Sequence, residues 1–75
     1  MTNNLTIKAK WDPSAKVWVA ESDDVPGLVT EAVNMEHLIT KLKILIPELL
    51  ELNKGSVHKN IPFSIASEYS DTVYG

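Results

Sequence analysis

Leu5, Ile7, Ala9 and Trp11 alternate with Thr6, Lys8 and Lys10, the period of two expected of a strand with one buried face. Asp12-Pro13-Ser14-Ala15 supplies a turn, because Asp bonds its own backbone and Pro presets φ. Lys16 to Ser22 is then a second strand. Pairing Trp11 with Lys16 sets Ala9 against Trp18 and Ile7 against Ala20. Leu5, Ile7, Ala9, Trp11, Trp18 and Ala20 thereby share one apolar face. The opposite face mixes Thr6, Lys8 and Lys10 with Val17, Val19 and Glu21. Asp23 to Gly27 forms a second turn, since Pro26 cannot donate to a ladder and Gly27 tolerates positive φ. Leu28 to Ala32 follows as a short third strand.

From Met35 the period changes. Apolar residues at 35, 38, 39, 42, 45, 46, 49 and 52 make one stripe at about 3.6 residues per turn, which predicts an amphipathic helix. Asn34 is its cap, and Glu36 suits the positive end of the helix dipole. On the helical wheel Pro47 falls with Thr40, Glu36 and Glu51 on the polar side. From there it either bends the helix around the sheet or breaks it at Ile46. Ile44 lies opposite the stripe, and Asn53-Lys54-Gly55 ends the helix with Gly55 as a left-handed cap. Ile61, Phe63 and Ile65 then alternate with Pro62, Ser64 and Ala66, and Tyr69 extends the phase, giving a last strand that Pro62 places at an edge. The order β-β-β-α-β describes one α+β domain over residues 1–75. Its architecture is one mixed or antiparallel sheet with a single amphipathic helix packed on one face.

Size sharpens this picture. A chain of 75 residues has a thin stability margin, which favours a homo-oligomer. A dimer through the Val17 and Val19 face, Ile44 or an open strand edge is the first expectation. There is no Cys and no apolar run longer than four residues, against the roughly 18 that span a bilayer. The expected location is the cytoplasm, away from membranes. Net charge is −3 and all seven basic residues are Lys. Without the planar fork of Arg, direct nucleic-acid binding is not expected. Glu21, Asp23, Asp24, Glu31 and Glu36 fall in a Lys-free stretch between Lys16 and Lys41, which is either a set of solvated turns or a surface for a basic partner.

Candidate chemistry is sparse. His37 on the polar side of the helix and His58 in the following loop sit in no catalytic motif. Glu21, Asp23 and Asp24 cluster without a His at ligand spacing or the Asp-x-Asp-x-Asp-Gly pattern of a calcium loop. The glycines at 27, 55 and 75 are isolated, so no phosphate loop is present and no cofactor is expected. Trp11 and Trp18 fall on the apolar sheet face, where a helix should cover them.

The run Val17 to Ala32, with Trp18, Asp24, Pro26, Gly27, Leu28 and Thr30 in order before a capped amphipathic helix, resembles the HicB antitoxin family, and most of all its small HicB-like domains of unknown function. The resemblance implies a partial ribonuclease-H-like fold without nuclease activity, acting through protein-protein contact. In two-component systems that role is to mask a small basic mRNA-cleaving toxin. A self-assembling domain without a toxin is the alternative, and a metal-dependent enzyme using Glu21, Asp23 and Asp24 a third. Strand one offers Lys8 and Lys10 where a working enzyme of that fold holds metal with carboxylates, so no enzymatic activity is expected. Full antitoxins of that family add a helix-turn-helix or ribbon-helix-helix module, which is not expected after the last strand here, so the resemblance does not extend to operator binding. For a basic partner, the expected contacts are Asp23 and Asp24 for charge, with Val25 and Leu28 held out at the Pro26-Gly27 turn as apolar anchors.

Overall fold

The computed structural model describes residues 4–54 and 60–75. The elements are β1 (Leu5–Asp12), β2 (Val17–Glu21), β3 (Val29–Ala32), α1 (Met35–Lys54) and β4 (Phe63–Glu68). One sheet runs in the order β3-β2-β1-β4, in the expected α+β arrangement. The pairs β1·β2 and β2·β3 are antiparallel and β1·β4 is parallel. A parallel neighbour cannot be reached by a hairpin, so α1 carries the chain from the β3 edge to the β4 edge. The cap on Gly55 and the position of His58 lie outside the described residues.

The β1-β2 register differs from expectation by two residues. Trp11 pairs with Trp18, Ala9 with Ala20 and Asp12 with Val17. The cause is the loop. Asp12 Oδ1 accepts the N–H groups of Ser14 and Ala15 at 3.0 and 3.2 Å. Its carbonyl accepts the Lys16 N–H at 2.7 Å, and Lys16 takes a left-handed φ of 59°. Lys16 is therefore a loop residue. Because the slip is even, every side chain keeps its face. Leu5, Ile7, Ala9 and Ala20 are buried on the inner face, while Thr6, Lys8 and Lys10 are exposed on the outer one.

Asn34 caps α1 as expected: its Oδ1 accepts the His37 N–H at 2.8 Å and its carbonyl accepts the Leu38 N–H at 3.1 Å. The helix continues through Pro47 without a break, and Pro47 is half-buried rather than on a fully solvated face. The buried line is Leu38, Leu42, Ile46 and Leu50, which shares one core with the inner-face residues of β1, β2 and β3 and with the turn residues Val25 and Leu28. Leu52, expected in the stripe, is 81% exposed: it lies about 100° around the wheel from the middle of the buried line, at the margin of the apolar face and in the last turn of the helix. Ile44 points away from the core, as the wheel required.

Replacing Leu42 by Ala should cost about 2–5 kcal/mol, since a fully buried side chain leaves a cavity. The same change at exposed Ile44 should stay within about 0.5 kcal/mol. Urea denaturation followed by circular dichroism measures both.

Candidate functional site

The segment Ser22 to Leu28 is built as a clamp. Beyond the β1-β2 ladder, Thr6 has no strand residue to pair with on that side, and two side chains replace it. Asp24 Oδ2 accepts the Thr6 N–H at 2.8 Å, and Ser22 Oγ donates to the Thr6 carbonyl at 2.6 Å while accepting the Asp24 N–H at 3.0 Å. The chain then reverses at Val25-Pro26-Gly27-Leu28, closed by the Leu28 N–H to the Val25 carbonyl at 3.1 Å. Pro26 supplies the second position of this β-turn, and Gly27 supplies the positive φ of 87° needed at the third. Asn53 Nδ2 ties the turn to the helix, donating to the carbonyls of Pro26 at 3.2 Å and Leu49 at 2.8 Å.

This construction corrects the expected partner contacts. Val25 is 0% and Leu28 2% exposed. Both are core residues under α1 and are not anchors held out at a loop. Their apolar side chains fill inner-face space that the helix leaves, which local spacing does not reveal. Asp24 is exposed but its carboxylate serves Thr6. Of the four residues only Asp23 stands free of the fold's own framework, 3.8 Å from Lys8 and almost wholly exposed. Among the described residues no group of three His, Cys, Asp or Glu side chains converges as a metal site, and His37 is exposed on the helix.

The uncovered outer face of β2 and β3 brings together what the sequence scattered. Val17 and Val19 on β2 are half-buried, Val29 and Val33 beside them are exposed, and Glu21 and Glu31 stand between. Lys8 and Lys10 on β1 are already engaged, with Asp23 and, at 3.9 Å, with Glu68.

At the hairpin end of the inner face lies a cluster that local spacing did not predict. Trp11 meets Trp18 edge-on with centroids 5.5 Å apart, and Tyr69 stacks on Trp11 at 5.6 Å. The helix does not cover this pair as expected: Trp18 packs against the core, whereas Trp11 is half-buried against Trp18 and Tyr69. The parallel register of β4, with Ala9 opposite Ser67, brings Tyr69 alongside Trp11. The phase running from Ile61 to Tyr69 was the signal available for it. The Tyr69 hydroxyl donates to Asp71 Oδ2 at 2.9 Å. That bond, with some desolvation and the carboxylate's charge, holds the Tyr69 pKa above its ordinary 10.0. The Thr72 N–H, and then the Tyr69 hydroxyl, hold Asp71 below the usual carboxylate value.

Residues 4–74 match the model of a domain of unknown function, DUF1902. The chain belongs to this family. A crystal structure of a hypothetical protein, TTHA1013, from the extremely thermophilic bacterium Thermus thermophilus is 44% identical to it. That similarity covers 97% of this chain and 100% of the other, with a TM-score of 0.72. No curated protein matches. In this DUF1902 domain no helix among the described residues is long and apolar enough to cross a membrane.

Two outcomes follow from the clamp and the cluster. Asp24→Ala should lower stability by about 1 kcal/mol, because the Thr6 N–H loses a charged acceptor. Asp23→Ala should change it by less than about 0.5 kcal/mol, and chemical denaturation separates the two. In the second, Tyr69 has a raised folded pKa, so its contribution to stability is whole below pH 10.0 and is lost as pH rises through the folded value. Asp71 has a lowered one, so its contribution holds above pH 3.8 and is lost as pH falls through the folded value. Asp71→Asn should bring the Tyr69 titration, read by ultraviolet absorbance, back down toward its ordinary range.

Proposed function

We propose that this DUF1902 domain is a non-catalytic, HicB-like protein-protein interaction domain whose partner is a small basic protein, in the manner of an antitoxin masking a toxin. The observation that carries this reading is the outer face of β2 and β3, where Val17, Val19, Val29 and Val33 are interleaved with Glu21 and Glu31. An apolar patch of this kind supplies residence time, and its acidic neighbours supply attraction and partner choice. The two lysines on the adjoining strand are matched by Asp23 and Glu68, so the face as a whole remains acidic. Two such faces repel one another, whereas a basic surface complements them. The sequence from Val17 to Ala32, which resembles HicB antitoxins, forms this same face and the turn that supports it. The commitment of the Asp24 carboxylate to the Thr6 N–H speaks against a catalytic cluster with Glu21 and Asp23.

The test uses the product of the adjacent reading frame, expressed with this chain and measured by surface plasmon resonance. The Glu21→Lys, Glu31→Lys double variant should weaken binding about tenfold or more, chiefly through slower association. Val19→Ala should mainly speed dissociation. Binding that both variants leave intact, or RNA or DNA cleavage by the purified chain with magnesium or manganese, would overturn the proposal.

A further inference from the structure

The two edges of the sheet are not alike. The β3 edge is four residues long, and Lys41 Nζ from α1 donates to the Glu31 carbonyl at 2.5 Å. A lysine placed there blunts an edge against pairing. The β4 edge has six residues, Phe63 to Glu68, without Pro or Lys. The Leu5 N–H donates to the Pro62 carbonyl at 3.2 Å. In a parallel ladder alternate residues turn their backbone groups to opposite sides. The even-numbered residues of β4 therefore bond β1, and the N–H and C=O groups of Phe63, Ile65 and Ser67 point out of the sheet. Pro62 belongs to the even set, so its missing N–H takes nothing from the outer edge. No hydrogen bond among the described residues reaches those outward groups.

The side chains at this edge are unfinished in the same way. The helix lies nearer β3 and β2 than β1 and β4. Ile61, Phe63 and Ile65 face the core side yet are only half-buried. Between α1 and β4 runs an open groove lined by Leu42, Ile46, Pro47, Ile61 and Phe63, with Lys43 at its rim.

We propose that β4 of one copy pairs antiparallel with β4 of a second copy about a two-fold axis at Ser64, joining the two sheets into one of eight strands. An axis perpendicular to the sheet keeps both helices on the same side, so the two grooves meet at the joint. In this register Phe63 of each copy lies opposite Ile65 of the other in a hydrogen-bonded pair. Ser64 faces its own counterpart, and Glu68 falls opposite Asn60, so no like charges oppose. The occupant is a second copy because the edge is self-complementary under this operation. Among the described residues a single edge is open, and with the other guarded by Lys41 the assembly closes at two copies instead of propagating a fibre. This interface is separate from the β2-β3 outer face, which stays free for another partner.

The absence of Cys from the chain makes the test direct. In a non-hydrogen-bonded antiparallel pair the Cα atoms stand about 4.5 Å apart, within reach of a disulfide. Ser64→Cys, an exposed position, should therefore give a covalent dimer under mild oxidation, whereas Val19→Cys and Ile44→Cys should not. Light scattering on the unmodified chain at micromolar concentration should report twice 8.3 kDa. The Phe63 and Ile65 amides should be protected from hydrogen exchange. A mass of 8.3 kDa, or cross-linking through Val19→Cys or Ile44→Cys in preference to Ser64→Cys, would overturn the proposal.

Discussion

One α-helix has to cover a four-stranded sheet. With side chains the helix is about 10 Å across, while four strands at about 4.8 Å spacing span roughly 15 to 20 Å. Cover is therefore incomplete, and most features of this domain are responses to that shortfall. The helix takes the β3-β2 side and buries Leu38, Leu42, Ile46 and Leu50 over Ile7, Ala9 and Ala20. Small residues at 9 and 20 leave the space these larger helix side chains fill. What the helix leaves open is covered by other means: by Val25 and Leu28 from the turn, and by Trp18 with Trp11 and Tyr69 at the hairpin end. Along β4 it is not fully covered by the described chain.

The turn from Ser22 to Leu28 is consequently a structural member. Its carboxylate and hydroxyl stand in for a missing strand at Thr6, its Pro26-Gly27 reversal returns the chain to β3, and Asn53 anchors it to the last turn of the helix. A Pro-Gly turn with adjoining acids reads in isolation as an exposed recognition loop. Here burial of the two apolar residues that flank the reversal gives it a rigid role, and recognition falls to the face behind it. Charge divides along the same line, with lysines on β1 neutralised locally and glutamates on β2 and β3 left facing solvent.

The alternation along β1, the period of the helix, the Asn34 cap and the phase from Ile61 to Ile65 were all legible in the chain, because each depends on neighbours within a few residues. The order of elements and the faces of β1 and β2 followed from them. An error of two in the hairpin register left those faces intact because the side-chain period in a strand is two. Absence of Cys and Arg, and the poverty of catalytic spacing, also belong to sequence alone.

The tertiary structure decided everything that depends on residues distant in sequence. That β4 runs parallel beside β1 sets Tyr69 against Trp11, and no local pattern encodes a neighbour 58 positions away. The inward turn of Val25 and Leu28 rests on space left by the helix, and the commitment of Asp24 rests on where the β1-β2 ladder stops at Lys8 and Glu21. Local periodicity states which side of an element is apolar. Only packing states which apolar surface another part of the same chain has covered, and so which surface is left for a partner.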